Sequence, residues 1–347
     1  MESSCKLFRR GQSVERILVV FAFLCFATLQ SAAGQSFAIQ DLGTLPGGFV
    51  SHASAINEHG EIVGDSATNG LFQPHAFLFR HGRLDDLGTL PSGNFSSATG
   101  INKHGQVVGF SGATAVFEFA FLLEHKKMVS LGTLPGGTSS QAFGINDSGQ
   151  VVGVSSTASG NSHAFLFENR AMTDLGTLPG GSSSRANGIN NIGQVVGEAS
   201  TASGDTHAFL FANGVMTDLG TLPGGNFSRA TGINDSGQVV GEANTASGNT
   251  HAFLFENGVM TDLGTLPGGN SSQATGINDH GLVVGSSSTA SGNTHAFVFE
   301  NGVLLDLGTL PGGDFSEANG INDHGEVVGD SSATGQLSHS TLWKPAS

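Results

Sequence analysis

Histidines at a fixed spacing are the first residues of this sequence that suggest chemistry. Imidazole binds metal ions and transfers protons, but a zinc site needs about four ligands within ~2.0–2.3 Å of one ion. Equivalent residues of a repeat protein lie far apart, so we expect structural hydrogen bonds here and no metal site. The expected partner is the aspartate of a following D-L-G segment. These histidines are His75, His163, His207, His251, His295 and His339, and the aspartates include Asp174, Asp218, Asp262 and Asp306.

The other candidate sites are incomplete, because each lacks ligands or side chains that its chemistry requires. The N-D-x-G segments at Asn146, Asn234, Asn278 and Asn322 offer one carboxylate each, whereas a calcium loop collects six to eight oxygens, so we predict simple Asx turns. No G-x-S-x-G elbow stands between a strand and a helix. Glycoside hydrolysis needs two facing carboxyl groups, and the predicted inner strands hold only Glu317. We therefore predict no catalytic residue, no metal and no cofactor.

The first 34 residues predict export. Basic residues, among them Arg9 and Arg10, precede an apolar run of 13 residues (17–29), which is too short for the ~30 Å core of a bilayer. Small residues follow, so we predict a signal peptide (residues 1–34) cleaved after Ala33 or Gly34. An uncleaved anchor or a buried helix is the alternative. The mature protein is expected to be secreted, extracellular or periplasmic, with no membrane span.

The cysteine content is compatible with export but provides no disulfide bonds. Cys5 and Cys25 both precede the predicted cleavage point, so the mature chain would contain no cysteine. Disulfides, thiolate nucleophiles and cysteine metal sites are therefore excluded from it. Folding outside the cytoplasm would depend on packing alone.

Composition narrows the class of protein further. Glycine accounts for 53 of 347 residues, about twice the usual share of roughly 7 %, which argues against a helical protein. With 12 % charged and 38 % hydrophobic residues, the chain is neither a disordered acidic tail nor a coiled coil. The net charge of −15 disfavours nucleic acid and anionic lipid as partners, because both are bound through Lys and Arg.

The chain repeats itself with a period of 44 residues and one step of 45. The segment D-L-G-T-L-P-G-G or a close variant begins at Asp41, Asp86, Ser130, Asp174, Asp218, Asp262 and Asp306. The segment I-N-x-x-G-x-V-V-G follows at Ile56, Ile101, Ile145, Ile189, Ile233, Ile277 and Ile321. The segment H-A-F-L-F or a variant of it begins at His75, Phe119, His163, His207, His251, His295 and His339.

Each copy predicts four strands separated by turns. In one middle copy they span 228–234, 238–243, 251–256 and 259–266, with Asn257-Gly258 as a hairpin turn. Four strands in ~40–50 residues is the size of one propeller blade. A lone strand at 36–45 and a final strand at 339–343 complement each other. Residues 35–347 are thus predicted to form one all-β, seven-bladed propeller of four-stranded antiparallel blades, closed by its terminal strands.

The three repeated segments together resemble the HAF repeat of bacterial extracellular proteins, and the resemblance covers the chain after residue 34. It implies export and a repeat fold, and no established activity. The third copy departs from the pattern, with Phe119 in place of the histidine and Ser130 in place of the aspartate. The last copy carries Ser340-Thr341 in place of Ala-Phe.

One position varies while its neighbours stay constant. It precedes the constant alanine after the Pro-Gly-Gly turn and reads His52, Ser97, Gln141, Arg185, Arg229, Gln273 and Glu317. Two positions earlier, Phe227 and Phe315 alternate with smaller residues. We predict that these residues share the Pro-Gly-Gly face beside a central channel. The ligand-binding candidates are Arg185, Arg229, Gln141, Gln273 and Glu317, with Phe227 and Phe315 as apolar anchors. Neutral drift at exposed positions is the alternative explanation.

These patterns favour a non-catalytic binding or scaffold module, expected to be a monomer, with an anionic glycan or peptide as ligand. An extracellular hydrolase or lyase acting on polysaccharide is the second hypothesis and needs acids that converge only in the fold. A structural extracellular matrix protein is the third. Fold alone cannot separate the three.

Overall fold

A computed structural model describes residues 36–346 except 69–70 and 115–116. The predicted signal peptide lies outside this part of the chain. The described residues form seven four-stranded antiparallel sheets, so the predicted seven-bladed propeller is confirmed. Among them there is no helix long and apolar enough to cross a membrane.

The inner strand of each blade borders the central channel, and the second strand pairs with it. The inner strands are β2 (Ser51–Ile56), β6 (Phe95–Ile101), β10 (Ser140–Ile145), β14 (Ser184–Ile189), β18 (Ser228–Ile233), β22 (Ser272–Ile277) and β26 (Ser316–Ile321). The second strands are β3 (Ile62–Thr68), β7 (Val107–Thr114), β11 (Val151–Ser156), β15 (Val195–Ser200), β19 (Val239–Asn244), β23 (Val283–Ser288) and β27 (Val327–Ala333).

The third and outer strands complete each blade. The third strands are β4 (Leu71–Arg80), β8 (Phe117–Glu124), β12 (Ser162–Glu168), β16 (Thr206–Ala212), β20 (Thr250–Glu256), β24 (Thr294–Glu300) and β28 (Gln336–Pro345). The outer strands are β1 (Phe37–Gly43), β5 (Arg83–Asp86), β9 (Lys127–Gly132), β13 (Ala171–Asp174), β17 (Val215–Asp218), β21 (Val259–Gly264) and β25 (Val303–Asp306). Blades 1 to 6 follow chain order from β2 to β25.

Blade 7 joins the two ends of the described chain. Its strand order is β1-β28-β27-β26, and β1 pairs antiparallel with β28 so that Ile39 lies opposite Trp343. Trp343 is fully buried. This pairing covers the edge of β28 that an open ring would leave exposed.

The hydrophobic core lies between consecutive blades. Phe253 of the H-A-F segment in blade 5 is fully buried against Val196 and Ala208 of blade 4. Both faces of its strand are covered, as the apolar alternation of H-A-F-L-F predicts for a sheet packed between other sheets. The next pair of blades repeats this arrangement, in which Phe297 packs with Val240 and Ala252.

Proline and glycine set the turns. In Leu222-Pro223-Gly224-Gly225 the N–H of Gly225 donates to the carbonyl of Leu222 at 2.9 Å, and Gly224 has a φ of +80°. This is the geometry of a type II turn, which needs a residue that tolerates positive φ at its third position. The hairpin Asn257-Gly258 has φ of +51° and +79°, as a type I′ turn requires.

A closed ring of asparagines connects the blades around the channel. Each buried asparagine of the I-N segment donates from Nδ2 to the backbone carbonyl of the equivalent asparagine in the next blade, at 3.0–3.2 Å. Its Oδ1 accepts amide N–H groups of its own turn. The sequence analysis predicts the Asx turns but does not predict these hydrogen bonds between consecutive blades. The members of the ring are Asn57, Asn102, Asn146, Asn190, Asn234, Asn278 and Asn322.

Candidate functional site

The repeated histidines pair with the aspartates of the D-L-G segments. His163 Nδ1 lies 2.8 Å from Asp174, and the other Nδ1-to-carboxylate distances are 2.8–3.0 Å. The second carboxylate oxygen of Asp174 accepts the N–H of Gly176 at 2.7 Å. Each pair therefore ties the third strand to the outer strand and to the turn beyond it. The six pairs are His75–Asp86, His163–Asp174, His207–Asp218, His251–Asp262, His295–Asp306 and His339–Asp41.

Blade 2 has lost both members of this pair. Phe119 stands at the histidine position and packs with an apolar cluster of blades 1 and 2. Ser130 stands at the aspartate position, and its Oγ still accepts the N–H of the turn glycine, Gly132, at 3.2 Å. The joint replacement is what a structural pair predicts. In the described chain no group of three or more His, Cys, Asp or Glu side chains could hold a metal ion.

The variable position lies where the sequence analysis placed it, at the start of each inner strand on the Pro-Gly-Gly face. Four of its members, His52, Arg185, Arg229 and Glu317, line a channel cavity of about 670 Å³. A β-bulge follows in every inner strand, for example between Ala230 and Gly232. The glycine of V-V-G permits this close approach, because a Cβ on Gly241 would lie 2.0 Å from the carbonyl oxygen of Arg229.

A second variable position, which the sequence analysis missed, faces the first across each strand pair. It follows V-V-G on the second strand, so Arg229 lies opposite Glu242 and Glu317 opposite Asp330. The internal comparison of copies contains this signal, since this position varies beside the constant glycine. Glu317 is the only acid of the inner strands, as expected, but the second strands place further carboxylates opposite them. The opposing residues are Asp65, Phe110, Val154, Glu198, Glu242, Ser286 and Asp330.

The two arginines differ in their surroundings. Arg229 donates to Glu242 at 2.7 Å, so its charge is balanced within the protein, while its buried Nε has no hydrogen-bond partner among the described residues. Arg185 forms no ion pair in the described part of the chain, although Glu198 lies opposite it. Its guanidinium carbon lies 3.8 Å from the centroid of the Phe143 ring, and its Nε donates to Asn187 at 3.1 Å. Partial burial lowers the pKa of Arg185 from its ordinary value.

Across the channel lies an acidic cluster at the seam between blades 7 and 1. His52 Nδ1 is 3.1 Å from Asp330, whose other oxygen accepts the N–H of Ala53 at 3.0 Å. The hydrogen bond to Asp330 raises the pKa of His52 to about 9, although burial acts in the opposite direction. Burial raises the pKa of Glu317, and the charge of Asp330 adds to this effect. Burial likewise raises the pKa of Asp65, to which Ser97 donates at 2.9 Å.

Two grooves on the Pro-Gly-Gly face open beside the channel. The first, here the Phe227 groove, has a volume of about 450 Å³ and is lined by residues of blades 2 to 5. It combines Phe227, Arg185 and Gln141 with a row of serine hydroxyls and the carboxylates of Glu118 and Glu198. Gln141 donates to Glu118 at 2.6 Å, while burial raises the pKa of that carboxyl group.

The second groove, here the Phe315 groove, has a volume of about 310 Å³ and crosses blades 5 to 7. Its wall contains Phe315, Gln273, Glu317 and another row of serines. The predicted binding residues thus divide between two grooves and the channel. Arg229 lines the channel alone, whereas Arg185 and Glu317 each belong to a groove and to the channel wall.

Sequence comparisons assign no family. No family model matches the chain, and no curated protein matches it. The HAF-repeat assignment therefore remains a resemblance.

Solved structures share the fold. The β-propeller domain of the Trilobed protease from Pyrococcus furiosus is similar, with a TM-score of 0.55 and 8 % identity over 86 % of this chain and 94 % of that one. A puromycin-hydrolyzing peptidase from Mycobacterium tuberculosis gives 0.54, 10 % identity, and coverage of 86 % and 55 %. TolB from Acinetobacter baumannii gives 0.50, 12 % identity, and coverage of 70 % and 61 %.

These likenesses define the chain as a β-propeller and say nothing about its activity. The chain spans little more than half the length of the peptidase and TolB chains that it matches.

Proposed function

We propose that the protein is an exported, non-catalytic module that binds a polysaccharide with acidic sugar units, and that Arg185 receives the carboxylate. The observation that carries this proposal is the position of Arg185. Its guanidinium group is half-buried on Phe143, has no carboxylate partner among the described residues, and lines both the channel and the Phe227 groove. A partly desolvated guanidinium group that forms no ion pair favours a bidentate carboxylate ligand.

The remainder of the Phe227 groove suits a sugar better than a peptide. A partly exposed phenyl ring offers an apolar surface for the face of a pyranose ring, and Phe227 supplies one at the groove wall. Sugar hydroxyls can donate to the carboxylates of Glu118 and Glu198 and exchange hydrogen bonds with the serine row. Because Arg185 and both carboxylates lie on paired strands and Phe227 is held by a β-bridge to Thr206, little conformational entropy is lost on binding.

The test is a titration of the protein with oligosaccharides that contain uronic acid, and with neutral oligosaccharides and acidic peptides for comparison. Replacing Arg185 by Ala removes one or more charged hydrogen bonds, each contributing about 1.5–3 kcal/mol, so affinity for the acidic oligosaccharide should fall ~10- to 100-fold. Arg170→Ala is the matched control, because Arg170 is exposed in a hairpin turn at the opposite face. Equal affinity for the parent and R185A, or binding of acidic peptides alone, would contradict the proposal.

Hydrolysis of the bound polysaccharide is the second candidate function, because the Phe227 groove holds two carboxyl groups. Burial raises the pKa of Glu118 on blade 2, as a general acid requires, while Glu198 lies on blade 4, two blades further along the chain. Release of reducing ends by the parent protein, abolished in both E118Q and E198Q, would support this function. Binding without turnover would leave the non-catalytic proposal standing.

Export is part of the proposal and has its own test. The basic, apolar and small-residue order of residues 1–34 supports it. N-terminal sequencing of protein recovered outside the cytoplasm should begin at Gly34 or Gln35. Recovery of intact Met1 in a membrane fraction would favour an uncleaved anchor.

A further inference from the structure

The Phe315 groove repeats the Phe227 groove two blades further along the chain. A shift of 88 residues superposes their sequences, so that Phe315 corresponds to Phe227 and Thr294 to Thr206. In both grooves the backbone of this phenylalanine forms a parallel bridge with that threonine of the preceding blade. The same local pairing thus places an aromatic ring on the wall of each groove.

The serine floor is repeated as well. Ser200 Oγ accepts the N–H groups of Ser182 and Ser183 at 2.8 and 3.0 Å. Ser288 Oγ accepts those of the equivalent residues, Asn270 and Ser271, at 2.9 and 3.0 Å. Both grooves therefore present hydroxyls on a backbone of the same shape.

The charged residues are not repeated. Gln273 replaces Arg185 and donates to Ser286, which replaces Glu198, at 3.1 Å. Glu317 stands at the position equivalent to Arg229 and lines the groove on blade 7. Glu242, which is paired with Arg229, lines it on blade 5. The Phe315 groove therefore has an uncharged floor between two carboxylates, and the unpaired Glu317 would repel an acidic sugar.

A third phenylalanine at this position does not make a third groove of the same kind. Phe95 packs edge-to-face against Phe110, with ring centroids 6.5 Å apart. One side of its ring is thus covered by the protein, whereas Phe227 and Phe315 both line open grooves.

We infer that the Phe315 groove is a second saccharide site, selective for an uncharged sugar unit, and that one heteropolymer of acidic and uncharged units occupies both grooves across the channel mouth. The inference rests on the proposed function, because it assumes that the Phe227 groove binds the acidic unit. Both grooves lie on the same face, and Arg185 and Glu317 share the channel wall between them. Joining two sites through one ligand multiplies the affinity without new contacts.

The test compares single-ring variants of the full chain with an oligosaccharide of alternating uronic acid and uncharged hexose, at increasing length. Phe315→Ala should lower affinity for the longest oligosaccharides about 10-fold or more, and leave affinity for a short acidic oligosaccharide unchanged. Phe227→Ala should weaken both. Phe117→Ala is the matched control, because Phe117 is an exposed aromatic residue of blade 2 outside both grooves.

The outcomes separate this inference from the proposed function. If R185A weakens binding while F315A binds every length as the parent does, the second site is wrong and the first stands. If affinity does not rise with length, the spanning ligand is wrong. If no oligosaccharide binds, both proposals fail. Circular dichroism and the unfolding temperature of F315A show whether a loss of affinity comes from the missing ring or from misfolding of the variant.

Discussion

At the residue scale, the repeated side chains whose types suggest chemistry form structural hydrogen bonds within and between the blades. The six histidines are bound by aspartates within their own blades, and the asparagines of the N-D-x-G turns use both side-chain atoms in hydrogen bonds. The side chains left to receive a ligand are those at the variable position, above all Arg185. Repetition identifies structural residues, and variation within the repeat identifies candidate binding residues.

The pairing of histidine with aspartate predicts a measurable coupling. H163F and D174S should each lower the free energy of unfolding, because each leaves a polar partner unpaired. The double variant reproduces the Phe119 and Ser130 arrangement of blade 2, so it should be less destabilised than the sum of the singles by about 0.5–1 kcal/mol. Chemical denaturation of the four proteins measures this difference. Strict additivity would show that the two side chains do not act as a pair.

His52 predicts a dependence of stability on pH. Its folded pKa of about 9 lies above the ordinary value of 6.5, so the protonated form is favoured in the folded protein. The stabilisation should be fully present below pH 6.5 and lost as pH rises through about 9. Because 47 % of the side chain is exposed, we expect about 1 kcal/mol.

The measurement is the unfolding free energy of the parent and of H52Q between pH 6 and pH 10. The two curves should differ at pH 6 and converge near pH 10. His59→Gln provides the control, because His59 is exposed in a turn of the same blade. A constant difference across the range would assign the effect of H52Q to packing.

At the element scale, the sequence predicts the strands and turns well because each copy repeats the same local physics. Alternating apolar residues, Asn-Gly hairpins and Pro-Gly turns are local signals, and all three match the observed blades. The asparagine ring and the residues opposite the variable position depend on which strands become neighbours. Because those neighbours belong to another blade or another strand, the sequence of a single repeat does not identify these contacts.

The asparagine ring predicts a cost for breaking any one of its bonds. Asn190→Ala removes the donor to the Asn234 carbonyl and the acceptor of its own turn. Since these groups are buried, the unfolding free energy should fall by about 2 kcal/mol or more. Asn161→Ala, at an exposed loop position, should change it little. Equal stability of N190A and N161A would show that water replaces the ring bond.

At the scale of the whole molecule, the number of blades and their closure follow from the seven copies and the two complementary terminal strands. The sequence does not predict how the variable residues divide between the channel and the two grooves, because that depends on the curvature of the complete ring. The net charge of the whole chain also fails to describe the local charge at the channel. The protein carries −15 overall, yet a half-buried arginine without a carboxylate partner faces the channel.

Removal of strand β1, which closes the ring by pairing with β28, should destabilise the propeller. This strand contributes the buried Leu42 and the partly buried Phe37 and Ile39 to apolar clusters, and full burial of such a side chain contributes about 1.5–3 kcal/mol. A chain that starts after Gly43 should therefore lose about 5 kcal/mol, or ~10 °C in unfolding temperature, relative to one that starts at Ser36. The freed edge of β28 should also make the shortened protein associate at high concentration.

Scanning calorimetry and size-exclusion chromatography measure the two effects. A synthetic peptide of residues 36–43 should restore both the unfolding temperature and the monomer, because it can pair with β28 through the register that places Ile39 opposite Trp343. A peptide with Ile39 replaced by Asp is the control, since its charge would enter an apolar cluster. If the shortened chain stays monomeric at the parent's unfolding temperature, the inter-blade clusters and the asparagine ring hold the propeller closed without its terminal strand.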